Sequence, residues 1–153
     1  MDELSALESW AGALLSQLAP AARRTVTREI ARELQRSQRA RIAQQRNPDG
    51  TAYDKRKPRP KKHLRDKAGR IKRAAMFAKL RQARYMRADS DAAGLVIGFA
   101  GRVARVARVH QYGESDRVAK GGPKYKYPAR VLLGFSDADR DMIRDLVLKH
   151  LTK

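Results

Sequence analysis

The sequence predicts an α+β fold with N-terminal helices, a small antiparallel sheet, a C-terminal helix and a long basic loop. Three observations carry this expectation. Leu4, Leu7, Ala11, Leu14, Leu15 and Leu18, and then Val26, Ile30 and Leu34, recur at helical spacing. The run "RYMRADSDAAGLVIGFAG" has two β-rich segments around a polar turn. The end of the chain returns to helical spacing at Met142, Ile143, Leu146, Val147 and Leu151.

Asp2 stands where it can cap the first helix, and Pro20 breaks that helix and opens a second. The second helix buries Val26, Ile30, Leu34 and Ile42, points its arginines outward, and stops at the turn "NPDG" (Asn47–Gly50). Between Tyr53 and Asp66, two prolines and many cations leave almost nothing apolar to bury, so an extended loop is expected. A shorter helix is expected over residues 68–82, with Ile71, Ala75, Met76, Ala78 and Leu80 inward. The second strand of the sheet is expected at Leu95–Ala100. In "RVARVARVHQYG", three-residue spacing scatters side chains over both faces of a strand but draws a slowly drifting stripe on a helix. A short helix over residues 102–110 follows, with Val103, Val106 and Val109 on one stripe, stopping near Gly113. Residues 114–127 read as a polar loop, and "ARVLLGF" as a short strand or a strand-to-helix junction. Ser136 and Asp139 approximate a capping box for the last helix.

Composition narrows the function. Hydrophobic residues make up 42% of the 153, enough for a modest core, and the formal net charge is +19. Such self-repulsion calls for an anionic partner or an assembly that dilutes it, nucleic acid first and a membrane surface second. The excess is local: residues 55–87 hold fifteen Lys/Arg against Asp66 alone, whereas residues 1–19 hold three acids and no base. With no cysteine, thiol catalysis, thiolate metal sites and disulfides are excluded. The acidic start "MDELSALESW" does not resemble a signal peptide and no apolar run spans a bilayer, so synthesis in a cytoplasm and no membrane contact are expected.

Catalytic constellations are not expected. His63, His110 and His150 stand far apart without ligand-type neighbours, so no metal is expected. Ser136 reads as a helix cap and Ser37 as part of an arginine-rich helix face. Asp137, Asp139, Asp141 and Asp145 lie in the first turns of the last helix, where carboxylates complement the macrodipole. "KGGPK" lacks the spacing of a phosphate-cradling loop. His110 is therefore expected to be architectural, offering donors and acceptors where a helix ends. The basic belt of Lys55, Arg56, Lys57, Arg59, Lys61, Lys62, Arg65 and Lys67 suits salt-sensitive phosphate contact without base reading. Tyr53, Phe77 and Tyr85 could stack on bases but read more easily as core or turn residues.

Three segments in order, "RIAQQRNPDGTAYDKRK" (residues 41–57), "RVHQYG" (108–113) and "YPARVLLGFSDADRDMI" (127–143), resemble the tail-completion, or virion morphogenesis, family of contractile-tailed temperate phages. The resemblance covers residues 5–150 and implies one domain over 1–153: a helical part at 1–46, the basic loop at 47–67 and an α+β part at 68–153. It implies a structural assembly protein without catalytic residues or cofactor, sited in the virion at the head-proximal end of the tail. Its expected partners are further copies in a hexameric ring, other tail and neck proteins, and DNA held non-specifically in the channel. The family's motif positions fall on His110, Gln111, Tyr112 and Gly113, and on Pro128, Ala129, Arg130, Leu132, Leu133 and Gly134, as interface or architectural residues. The competing expectation is a free, non-sequence-specific nucleic-acid-binding protein.

Overall fold

The computed structural model describes residues 2–57 and 75–152. Their order is α1 (Glu3–Leu15), α2 (Pro20–Ala43), β1 (Met86–Ser90), β2 (Leu95–Phe99), α3 (Val103–Tyr112), β3 (Ser115–Arg117), β4 (Lys124–Lys126) and α4 (Asp137–Leu151). The arrangement is α+β, with β1–β2 and β3–β4 as two separate two-stranded antiparallel sheets. Among the described residues, no helix is long and apolar enough to cross a membrane.

The spine is α2, opened by Pro20 at its first turn. Its apolar stripe meets two clusters. Val26, Ile30 and Leu34 pack with Leu7 of α1 and with Ile143 and Val147 of α4. Further along, Ile42 joins Tyr53, Met76, Leu80, Met86, Ala107 and Leu132. The same helix sends polar side chains to backbone elsewhere: Thr27 Oγ1 donates to the Asp91 carbonyl at 2.6 Å and Gln35 Nε2 to the Met86 carbonyl at 2.7 Å. These bonds tie both ends of β1 to α2. The hairpin turns at Asp91, whose Oδ1 accepts the amides of Ala93 at 2.7 Å and Gly94 at 2.9 Å, holding its carboxyl below the usual range.

The capping box forms as expected. Ser136 Oγ accepts the Asp139 amide at 3.1 Å, and Asp139 Oδ2 accepts the Ser136 amide at 3.0 Å. Asp139 does more than complement a macrodipole: it is 2% exposed, accepts a bond from Ser37 Oγ, and ties α4 to α2. Asp2 takes the N-cap position of α1 without a side-chain cap bond.

Four expectations are corrected. Residues 75–85 are turns rather than helix, because Phe77 has φ +67°, and Met76 gives its amide and carbonyl to the Gln45 side chain at 2.6 and 3.0 Å. Met76 and Leu80 are still buried there, Ala75 and Ala78 are exposed, and residues 68–74 lie outside the described residues. In α3 Ala107 and Val109 are buried and Val103 and His110 half-buried, so of the valine stripe Val106 alone is left exposed, at 47%. The 114–127 loop contains the β3–β4 hairpin, with Asp116 opposite Tyr125. Finally, "ARVLLGF" forms no strand among the described residues: it is irregular, bends at Leu133 and leads into α4. What it pairs with instead defines the candidate site.

Candidate functional site

An irregular segment with no strand beside it must satisfy its amides and carbonyls some other way, or bear the cost of burying them unpaired. Here side chains from α2, α3 and the turn after α2 serve as the missing strand. Gln111 is central. Its Oε1 accepts the amides of Leu132 at 2.8 Å and Leu133 at 2.9 Å, and its Nε2 donates to the Leu133 carbonyl at 2.8 Å. On the α2 side, Gln38 treats Gly134 alike, accepting its amide at 3.2 Å and donating to its carbonyl at 2.9 Å. Arg41 Nη2 donates to the Leu132 carbonyl at 3.1 Å and to Gln38 Oε1. Burial pushes the Arg41 guanidinium below its ordinary range. Asn47 Oδ1 accepts the Val131 amide at 2.9 Å, and the Tyr53 hydroxyl donates to the Val131 carbonyl at 3.1 Å. Burial pushes that phenol up to about 12, so it stays a donor.

At the start of the segment, the Arg130 amide donates to the His110 carbonyl at 2.7 Å. The Arg130 side chain, only 4% exposed as a residue, reaches back to the root of the basic belt. Its Nε donates to the Asp54 carbonyl at 2.7 Å, Nη2 to the Lys55 carbonyl at 3.2 Å, and Nη1 to His110 Nδ1 at 3.1 Å. A guanidinium has no acceptor, so Nδ1 must be unprotonated and the imidazole carries its proton on Nε2. Burial, then the Arg130 and Arg56 cations, lower the His110 pKa to about 4. His110 is thus held neutral, clamped at its backbone carbonyl and at its ring.

The His110 ring is also one member of a row of edge-to-face aromatics. Tyr53 meets Phe77 at 5.7 Å, Phe77 meets His110 at 4.8 Å, His110 meets Tyr127 at 5.0 Å, and Tyr127 meets Tyr125 at 4.9 Å. Lys57 Nζ sits 4.0 Å over the last ring. The row places buried Tyr53 and half-buried Phe77 in the protein's own packing.

Two glycines are dictated by this packing. Gly113 ends α3 at φ +64°, and a Cβ there would lie 3.0 Å from the Ala129 amide nitrogen and 3.2 Å from the Tyr127 carbonyl. A Cβ on Gly134 would lie 2.6 Å from Pro48 Cγ.

Of the motif residues, the structure brings together His110, Gln111, Gly113, Arg130, Leu132, Leu133 and Gly134, with Ala129 against Gly113. Tyr112 points away, 70% exposed, onto a shallow open groove shared with Tyr125 and Pro128. In the belt, Lys55, Arg56 and Lys57 are exposed, while Arg59, Lys61, Lys62, Arg65 and Lys67 lie outside the described residues. Gln38, Arg41, Gln45 and Asn47 are the side chains that sequence reading missed. Gln38 carried a signal, since it stands four residues after Leu34 on the same buried stripe, where only a polar group with partners is tolerated.

Among curated proteins the chain is similar to Tail completion protein S of Escherichia phage P2, 39% identical over 155 aligned positions that cover all of both chains. No solved structure matches it. A family model described as the phage virion morphogenesis family matches residues 2–152, and the chain belongs to that family.

Proposed function

We propose that this protein is a non-enzymatic tail assembly factor. It completes the head-proximal end of a phage tail and makes that end competent to join a head, acting as a hexameric ring subunit. The observation that carries this reading is the full-length similarity to a tail completion protein. The site supports it: His110, Gln111 and Arg130 direct their polar groups to one another and to the protein's own backbone. That is what a rigid part requires, and a substrate site requires the reverse. In a ring each subunit offers one patch to a different patch on its neighbour, and the rotation must close.

The belt has a place in the same reading. Its first residues are held by Arg130 at Asp54 and Lys55 and by Lys57 over Tyr125. Facing the channel, the belt's cations would hold passing DNA by its phosphates, with an affinity that falls steeply with salt. Replacing Lys55, Arg56, Lys57, Lys61 and Lys62 by glutamine is expected to reduce DNA retention on a filter at low salt at least about tenfold, leaving circular dichroism unchanged. Unchanged retention would remove the belt from any DNA contact.

The test of the function is deletion of the gene in the strain that makes the particle, followed by electron microscopy of the lysate. Filled heads beside unattached tails, restored to joined particles when the protein is supplied, are expected. Joined particles without the protein would overturn the completion role and bring forward a free nucleic-acid-binding protein.

A further inference from the structure

Each sheet has two strands, so each leaves edges that a structure must cover, charge or use. At the outer edge of β1, α2 bonds the two ends, Gln35 at the Met86 carbonyl and Thr27 at the Asp91 carbonyl just past the strand. The β4 edge carries Lys124 and Lys126, whose charges discourage a further strand. The edge of β2 has neither protection. "LVIGF" is the one element of the eight without a charged residue, in a chain whose formal charge is +19.

Its backbone polarity follows from the pairing. Residues Arg87 and Asp89 stand opposite Gly98 and Val96, and the Ala100 amide donates to the Tyr85 carbonyl at 2.8 Å. Even-numbered residues of β2 therefore bond to β1, and Leu95, Ile97 and Phe99 turn their amides and carbonyls outward. Among the described residues those groups have no partner. The same three side chains are half-buried on the core face, so Val96, 69% exposed, and Gly98 form the outer face. Among the described residues nothing requires glycine at 98: a Cβ there would meet none of them within 4 Å, and its φ is not in the left-handed region.

We infer that β2 is a self-recognition edge: a second copy of this chain adds its own β2, antiparallel and centred on Ile97. In that register Ile97 meets Ile97 of the other copy and Leu95 meets its Phe99, so the three outward residues pair completely with themselves. Val96 then settles against the bare backbone of the other copy's Gly98. Two copies that repel each other elsewhere meet where neither carries charge. The contact is two-fold and closes on itself, giving a four-stranded sheet and a dimer. It stands apart from the ring contacts and does not depend on the tail reading.

The sign of the salt effect sets this contact apart from phosphate binding, because screening strengthens the union of like-charged copies and weakens contact with DNA. The experiment is sedimentation of the full chain over two decades of concentration in high salt, with amide exchange read residue by residue. A doubling of mass is expected. With it, exchange at Leu95, Ile97 and Phe99 should slow at least about tenfold, whereas Val96 and Gly98, already bonded to β1, change little. Val96→Lys, at an exposed position, should weaken dimerisation at least about tenfold without altering the fold. A monomer throughout would overturn the inference. So would an oligomer in which those three amides stay unprotected, a ring included, or a Val96→Lys chain that dimerises like its parent.

Discussion

Replacing Gln111 with leucine is expected to cost about 3–6 kcal/mol, a large share of the stability of a domain this size. Leucine is close in size, so little volume changes. What disappears are the bonds to the Leu132 and Leu133 amides and the Leu133 carbonyl. Leu132 is fully buried, so water cannot simply replace the lost partner there. Each of the three orphaned backbone groups costs about 1–3 kcal/mol, and water reaching the half-buried Leu133 keeps the total in the lower part of their sum. Gln111→Glu should fall between, since it keeps the oxygen that accepts both amides but places a second carboxylate oxygen against the Leu133 carbonyl. Urea unfolding measures the loss, and amide exchange should show it centred on residues 131–134. A leucine variant within about 0.5 kcal/mol of the parent would mean that the segment is held by its apolar contacts alone.

Acidification should weaken the fold through His110. Its pKa in the folded chain is about 4 against an ordinary 6.5, so below pH 6.5 the unfolded chain binds a proton that the folded chain refuses. The contribution is fully present above pH 6.5 and is lost as the pH falls toward 4, approaching about 3 kcal/mol. Most of this window lies above the range in which carboxylates such as Asp49, Asp91 and Asp116, all held low by hydrogen bonds, begin to protonate. Arg130→Ala should narrow the effect by removing the adjacent cation and letting the imidazole charge more easily. The measurement is stability against pH for the parent, His110→Gln and Arg130→Ala, together with the imidazole titration by NMR. A parent whose stability is flat from pH 6.5 to 4.5, or an imidazole titrating near its ordinary value, would refute the clamp as described.

The helices were legible because their evidence is periodic and local. Leu7, Val26, Ile30, Leu34, Ile143 and Val147 were readable as inward residues and form one cluster. Ser136 and Asp139 announced their cap three residues apart. The hairpin at residues 86–99 was readable from its polar turn. Where a local signal met a tertiary one, the tertiary one won. The apolar spacing of residues 75–82 suggests a helix, yet the Gln45 side chain takes the Met76 backbone, and Phe77 adopts a conformation no helix allows. The stripe of valines in α3 drifts because three residues fall short of a full turn, so Ala107 rather than Val106 faces the core.

By itself, then, the sequence determined the fold class, the places of α1, α2, the β1–β2 hairpin, α3 and α4, the family, and the two motif segments that turn out to meet. Only the tertiary structure decided how they meet. "HQYG" and "PARVLLG" lie about twenty residues apart, and the polar groups joining them come also from α2, some ninety residues from the segment they hold. The bonding partner of a glutamine or an arginine is set by which backbone group the fold brings within about 3 Å, and no local pattern encodes that distance. Periodicity reports which face of an element is apolar, whereas the clamp depends on which buried amides lack a strand beside them.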